Sequence, residues 1–227
     1  MTDDELLLDR LAGIAERIAG AATESGRDAA DVRMLLATKT QPVERIVVAL
    51  RAGYTLIGEN RVQEITGKAE TLQAIPHTTA MIGHLQRNKL AAVLPLIDCL
   101  QSLDSADLAA RLDRRLADDG DRVLEVMVQV NVSGEPTKSG VGVEQAPALI
   151  ETIAELQRLR LTGLMTIGLN SVDLTAVRAG YRQLRELRDR LLPGGELSMG
   201  MSGDFEAAIA EGGTLVRIGA AAFGPRT

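Results

Sequence analysis

The sequence predicts an α/β protein whose strands close into a (β/α)8 TIM barrel. Strand-like apolar runs alternate with segments of helical periodicity along the chain, and the connections between them are short. This alternation is typical of a parallel sheet. The strand-like runs number eight, which is the number that closes such a barrel. An open doubly wound sheet is the alternative that the pattern leaves open.

Each predicted strand is an apolar run bounded by turn-forming residues. The eight strands are predicted over residues 32–38, 55–57, 79–82, 97–102, 123–130, 161–166, 196–199 and 214–218. The fifth is nearly continuous, interrupted by Glu125 and Gln129, as expected when helices cover both faces of a sheet. We interpret Cys99, inside the fourth strand, as buried packing.

The predicted helices show apolar residues at helical spacing. The first helix, over residues 5–24, presents Leu7, Leu11, Ile14 and Ile18 on one face. The later helices are predicted over residues 43–52, from 62 onward, and over 87–94, 106–118, 144–156, 172–191 and 203–211.

Small residues at the helix ends support these boundaries. Gly53 is expected to end the helix 43–52. A serine precedes each of three further helices and is predicted to cap it; these serines are Ser105, Ser171 and Ser202.

The composition and charge of the chain indicate a single domain and disfavour several kinds of partner. The chain has 227 residues, 45% of them hydrophobic, which suits one domain over residues 1–227. The formal net charge of −6 and the pI near 5.1 argue against nucleic acid or an anionic membrane as the main partner. No apolar run approaches the ~20 residues of a membrane span, and the acidic N-terminus is unlike a secretory signal.

The chain has few cysteines and histidines, which bears on its cellular compartment and on metal binding. One cysteine cannot form an internal disulfide, which suits the reducing cytoplasm. Two histidines with one cysteine disfavour a structural zinc site. We therefore predict a cytoplasmic protein without a metal centre.

The stretch VRMLLATKTQP, Val32 to Pro42, joins a buried strand to a single lysine, Lys39. Pro42 fits the first position of a helix, where its missing N–H costs nothing. Gln41, which precedes the proline, is pushed away from helical angles. Lys39 therefore lies at the C-terminal end of a strand, which is the ligand end of a parallel barrel. A lysine at that position is a candidate for Schiff-base formation.

Polar residues follow the other strands as well, and in a barrel these ends share one rim. The rim residues are Lys39, Glu59, Asn60, His84, Gln86, Ser102, Asp104, Asn131, Thr166, Ser198, Ser202, Arg217 and Gly219. The last two segments, SMGMS (198–202) and VRIGAAAFG (216–224), resemble a phosphate site. Hydroxyl groups, an arginine and unhindered backbone amides at Gly200 and Gly219 suit an anion. The alternative is that these glycines only form tight turns.

Lys39 must be neutral to attack an aldehyde, although free lysine titrates near ~10.4. Burial and nearby positive charge would lower its pKa. The alternative is an ordinary ion pair with an acid such as Glu59. A lysine together with a phosphate clamp is the combination that pyridoxal 5′-phosphate (PLP) requires.

For other polar residues we favour structural roles. His84 is expected to hydrogen-bond a neighbouring loop, with a direct role as the alternative. Tyr181 lies on an apolar helix stripe and is expected in the core, whereas Lys138 belongs to a polar loop and is expected to be solvated. The Arg- and Glu-rich residues 178–190 are interpreted as a solvated helix face.

Eight longer motifs carry a resemblance to a known family. They are LLATKTQP, IGENRVQE, IGHLQRNK, SLDS, VQVNVSGEPTKSG, GLMTIG, LSMGMSGDFEAAI and VRIGAAAFGPR, from about residue 32 to the end of the chain. The chain resembles the PLP homeostasis protein family. The resemblance implies a fold similar to the N-terminal barrel domain of alanine racemase and PLP carried by Lys39 as an internal aldimine. It also implies that Ser202, Arg217 and Gly219 hold the phosphate, and that Asn60 and Met199 lie near the cofactor.

Two functions fit this resemblance. The first is a PLP carrier or buffer for intracellular PLP homeostasis, without catalytic residues, acting as a monomer and supplying apo PLP-dependent enzymes. The alternative is an amino-acid racemase, which needs a proton donor on each face of the cofactor. The tyrosines, Tyr54 and Tyr181, are not predicted at the rim, so the carrier is favoured. A Schiff-base aldolase acting on sugar phosphates is a third possibility.

Overall fold

Eight parallel strands form a closed barrel in the computed structural model, which describes residues 1–224. With a short ninth strand, β6, the described strands are β1 (Arg33–Ala37), β2 (Leu56–Glu59), β3 (Thr78–Met81), β4 (Cys99–Leu103), β5 (Leu124–Asn131), β6 (Val141–Gly142), β7 (Leu159–Met165), β8 (Glu196–Met201) and β9 (Leu215–Ile218). The order around the barrel is β1-β2-β3-β4-β5-β7-β8-β9, and the β1–β9 pair closes it. The two-residue β6 pairs with β5 outside this ring. The barrel is therefore confirmed, and the open sheet is wrong.

Helices surround the barrel, and all except the last, a four-residue helix that the sequence did not predict, lie close to the predicted positions. They are α1 (Asp3–Glu24), α2 (Val43–Arg51), α3 (Val62–Leu72), α4 (Leu90–Val93), α5 (Ala106–Ala117), α6 (Ala146–Ala154), α7 (Leu174–Leu191), α8 (Phe205–Ala210) and α9 (Ala220–Phe223). Short 3₁₀ segments, Arg87–Lys89 and Leu94–Leu96, flank α4 in place of the continuous helix predicted over 87–94. Within residues 1–224, no helix is both long enough and apolar enough to cross a membrane.

The apolar side chains divide between the outside and the inside of the strand ring. Two large clusters fill the layer between strands and helices, and the predicted face of α1 lies in one of them. A smaller cluster includes Leu35, Ala80, Cys99 and Leu215. Because it joins the non-neighbouring strands β3 and β9, this cluster lies inside the barrel. Cys99 is buried in this cluster, so its predicted packing role is confirmed, and the burial raises the pKa of its thiol.

Two of the three predicted serine caps are wrong. Ser105 accepts a hydrogen bond from the Leu108 amide and caps α5 as predicted. The residue that caps α7 is Asp173, and Ser171 instead accepts from the Asp173 amide. The helix after β8 begins at Phe205, so Ser202 is left in the preceding loop.

Candidate functional site

A cavity of about 410 Å³ opens at the C-terminal rim of the barrel. Among the residues that line it are Lys39, Asn60, Ser202, Arg217 and Gly219, which are five of the six predicted cofactor residues. Each lies at the end of a strand or just after one: β1, β2, β8 or β9. Ala37, Ile82, Ile167 and Met201 supply apolar surface between these polar groups. The parallel strands thus bring residues far apart in sequence to one site.

A tight turn after β1 presents Lys39 to the cavity. The Thr38 amide still donates to Gly58 O on β2 at 3.0 Å, and the Gln41 amide donates back to Thr38 O at 3.1 Å. Thr40 takes a left-handed conformation with φ of 63°, which is costly for a residue other than glycine. The chain therefore reverses sharply on either side of the lysine before α2 begins at Val43.

Arg217 projects from β9 and is 5% exposed. Its guanidinium donates to the Ser198 hydroxyl at 2.7 Å and to Thr166 O at 2.6 Å. Ser198 in turn donates to Gln101 Oε1 at 2.8 Å. Burial lowers the pKa of Arg217 to about 10, so the group is still cationic at neutral pH. These acceptors are neutral oxygens, and a buried cation held by neutral groups favours an anionic ligand.

Ser202 and Gly219 meet across the loops that follow β8 and β9. The Ser202 hydroxyl accepts hydrogen bonds from the amides of Gly219 and Ala221, each at 3.2 Å. A hydroxyl that accepts two bonds still carries one proton to donate. The serine predicted as a helix cap instead joins the loops after β8 and β9, and the proton left on its hydroxyl is the kind of donor that phosphate oxygens require.

The loop carrying Ser202 is braced from behind by Tyr181 and Asp204. The Tyr181 hydroxyl donates to Asp204 Oδ2 at 2.7 Å, and the Met201 amide donates to Asp204 Oδ1 at 2.6 Å. Burial, followed by the adjacent Asp204 carboxylate, raises the pKa of Tyr181. Tyr181 is therefore in the core as predicted, but its hydroxyl reaches the rim loop, which the sequence interpretation missed.

Asn60 lines the cavity and carries a buried oxygen that is unpaired in the described part of the chain. Its Oδ1 is buried and has no hydrogen-bond partner within residues 1–224. Buried polar atoms are normally paired, so this oxygen lacks a donor that the described residues do not supply. The chain after β3 passes very close behind, since a Cβ at Gly83 would lie 2.2 Å from Asn60 O. Glycine at position 83 thus permits the approach of two rim segments beside the cavity.

Met199 is the predicted cofactor residue that the cavity does not include. Its side chain is fully buried in the cluster between β8 and the helices. Met201, two residues later, lines the cavity mouth instead and is 38% exposed. The register of β8 against β9 shifts between Ser198 and Met201, and Gly200 has φ of 87°. The glycine at position 200 is the sequence signal for that irregularity.

The structure separates several other rim residues from Lys39. The His84 ring is 57% exposed, with Nδ1 3.4 Å from Asp104 Oδ2. It lies with Gln86, Arg61 and Lys89 in a neighbouring depression that shares Asn60 with the cavity.

Two lysines differ from the sequence interpretation. Lys68, which that interpretation missed, donates to Glu59 Oε1 at 2.7 Å, so this lysine pairs with the acid considered for Lys39. The i,i+4 spacing of Glu64 and Lys68 is the sequence signal for the second pair that Lys68 makes. Lys138 is only partly solvated: its side chain is 18% exposed, and its ammonium donates to Glu135 Oε1 at 2.7 Å and to Gly168 O at 2.6 Å.

Histidine, cysteine and carboxylate side chains do not cluster as metal ligands. No group of three or more of them in the described part of the chain could hold a metal ion.

Comparison with known proteins agrees with this geometry. The family model of the alanine racemase N-terminal domain matches residues 15–227. The pyridoxal phosphate homeostasis protein of Pseudomonas aeruginosa is 43% identical over 222 residues, covering 97% of this chain and 96% of that protein.

Solved structures show the same fold. The crystal structure of an unknown protein from Bifidobacterium adolescentis has a TM-score of 0.91 at 41% identity, covering 97% of this chain and 96% of that one. The structure of PipY of Synechococcus elongatus PCC7942 with PLP bound has a TM-score of 0.80 at 33% identity, covering 93% of this chain and all of that one. The chain therefore belongs to the pyridoxal phosphate homeostasis proteins, a family with the alanine racemase N-terminal domain fold.

Proposed function

We propose that this protein binds PLP at the Lys39 cavity and serves intracellular PLP homeostasis. The observation that carries the proposal is the convergence of one lysine, one buried arginine and a hydroxyl–amide cluster on a single cavity of about 410 Å³. The PLP-bound structure of PipY and the name of the Pseudomonas relative support the same ligand. The proposal takes the chain as one PLP-binding barrel domain.

The residues present fit the aldehyde end and the phosphate end of PLP. When bound, PLP supplies an electrophilic aldehyde and a phosphate dianion. We assign Lys39 to a Schiff base with the aldehyde, and Ser202, Gly219 and Arg217 to the phosphate. The unpartnered Asn60 Oδ1 would accept a hydrogen bond from the cofactor. Met199 would support the site from the core side of β8, and Met201 and Ile167 would shield its mouth.

We further propose that the protein retains PLP without turnover of its own. A racemase needs a second proton donor opposite the lysine, and tyrosine is the residue expected there by resemblance to alanine racemase. The Tyr181 hydroxyl is already committed to Asp204. Tyr54 lies in a depression lined by the start of β1 and by α1, at the opposite end of the barrel from Lys39. Neither tyrosine is among the residues that line the cavity.

The remaining elements of the proposal concern cellular context. We propose that the protein acts in the cytoplasm as a monomer, and that apo PLP-dependent enzymes receive the cofactor. A single, buried cysteine is consistent with a reducing compartment.

The decisive experiment follows the visible absorbance of the protein mixed with PLP. After unbound PLP is removed, the parent should be yellow, Lys39→Ala should be colourless, and both should have the same circular dichroism. Lys89→Ala is the matched control, because Lys89 lies in the neighbouring depression and does not line the cavity. A Lys39→Ala protein that keeps the absorbance band would show that another lysine carries PLP and would overturn the assignment.

A further inference from the structure

The turn that carries Lys39 is held from outside the barrel by a buried charge network. The network consists of Glu59 on β2 and Glu64 and Lys68 on α3. Lys68 directs its ammonium to Glu59 Oε1 at 2.7 Å, to Glu64 Oε2 at 2.6 Å and to Thr38 O at 3.0 Å. An ammonium has three protons, so these three bonds use its full donor capacity.

The same carboxylates contact the residues on both sides of Lys39. Thr38 donates its hydroxyl to Glu59 Oε1 at 2.7 Å, and the Thr40 amide donates to Glu64 Oε2 at 3.3 Å. Thr38 is fully buried, and Glu59 is 1% exposed. The network therefore forms hydrogen bonds with the backbone immediately before and immediately after the lysine.

The strained conformation of Thr40 explains why the turn needs these hydrogen bonds. Thr40 is the residue other than glycine with positive φ in the described part of the chain. A β-branched residue in this conformation is strained and persists only when its surroundings over-determine it. The bond from the Thr40 amide to Glu64, together with the bond from Thr40 Oγ1 to Lys39 O, supplies part of that constraint.

We propose that the Glu59–Lys68–Glu64 network positions Lys39 for attack on the PLP aldehyde. The inference rests on the proposed function. In the step concerned, Lys39 Nζ adds to the aldehyde carbon, a C=N bond forms, and the carbonyl oxygen leaves as water with the two amine hydrogens. Glu59, Glu64 and Lys68 act as positioning residues, because they contact the turn and not the reacting atoms.

The test separates capture of the aldehyde from occupation of the cavity. Glu64→Ala removes the acceptor of the Thr40 amide from a partly exposed position, where the side chain is 23% exposed. We expect it to slow the appearance of the C=N absorbance about tenfold, since small misplacements of a reacting group have effects of this size or larger. Pyridoxine 5′-phosphate has an alcohol in place of the aldehyde and cannot form the C=N bond. Its affinity should stay within about twofold of the parent value, because the phosphate contacts are untouched.

Two further variants complete the design. Glu64→Gln restores an acceptor oxygen at the same reach and should recover most of the capture rate. Glu70→Ala makes the same change at an exposed position of the same helix, and it should capture PLP at the parental rate. If Glu64→Ala does not fold, Thr40→Gly takes its place. Glycine adopts the left-handed turn without strain but does not hold it rigidly, so capture should again slow while pyridoxine 5′-phosphate affinity persists.

The outcomes distinguish this inference from the proposed function. A parent protein that forms no C=N absorbance refutes the proposed function itself. If the parent captures PLP and Glu64→Ala captures it equally fast, the positioning role is wrong while PLP binding stands. An equal loss of pyridoxine 5′-phosphate affinity and capture rate would show that the network shapes the whole cavity, which also overturns the positioning role.

Discussion

Replacing Lys68 with methionine should destabilise the protein strongly. The lysine side chain is 10% exposed, and Glu59, its partner, is 1% exposed. Methionine fills a similar volume but removes the only cation bonded to Glu59 in the described part of the chain. Glu59 Oε2 already has no hydrogen-bond partner within residues 1–224, so the carboxylate would keep only the Thr38 hydroxyl. Removing one member of a buried ion pair costs about 3–5 kcal/mol, a large share of the ~5–15 kcal/mol that stabilises a typical domain.

The stability lost in Lys68→Met should depend on pH, and the direction of that dependence follows from the pKa of Glu59. Burial raises the pKa of Glu59, and the hydrogen bonds from Lys68 and Thr38 oppose that rise. Without Lys68 the pKa should rise further. A raised carboxyl pKa destabilises the native state above that pKa, and the penalty vanishes below the unfolded value of about 4.3. The stability deficit of Lys68→Met relative to the parent should therefore shrink as the pH falls from 7 toward 5.

Urea denaturation at several pH values measures this deficit. With a slope of about 1–3 kcal/mol per molar urea, the midpoint at pH 7 should fall by roughly 1–5 M, or the variant should be unfolded without urea. The double variant Glu59→Gln, Lys68→Met removes both charges and should recover much of the loss. Lys89→Met is the control for a lysine outside the network. A Lys68→Met cost below about 1 kcal/mol, or a deficit that grows on acidification, would refute the reasoning.

Three further predictions test the cavity and its support. Arg217→Gln removes a charge-assisted contact worth about 1.5–3 kcal/mol and should weaken PLP retention roughly 10- to 150-fold by spectroscopic titration; unchanged occupancy would remove Arg217 from the phosphate assignment. Tyr181→Phe removes the hydroxyl bonded to the Asp204 carboxylate and should lower the free energy of unfolding by about 1.5–3 kcal/mol, with inorganic phosphate binding weakened because the Ser202 loop loses its brace. The PLP-loaded protein incubated with L-alanine in deuterated water should yield no D-alanine, and measurable turnover would favour a racemase.

The sequence by itself determined the barrel fold and the end of the barrel at which Lys39 lies. Apolar runs mark the buried strands, helical periodicity marks the buried face of each helix, and the alternation of the two with short connections indicates a parallel sheet. Lys39 was placed correctly because a strand-ending motif is local: the apolar run, the lysine and Pro42 lie within eleven residues. The same holds for the phosphate-type segments, whose glycines and hydroxyls adjoin strands β8 and β9.

Only the tertiary structure decided which side chains meet, because those contacts join residues far apart in the chain. Ser202 is bonded to the Gly219 amide instead of capping its own helix, and the partly buried Lys138 donates to Gly168 O instead of pointing fully into water. A shift in the pairing of β8 with β9 turned Met201 toward the cavity and left Met199 in the core. Apolar periodicity cannot predict these contacts, because the partner of each polar group depends on the geometry of a neighbouring strand or loop and not on the local sequence.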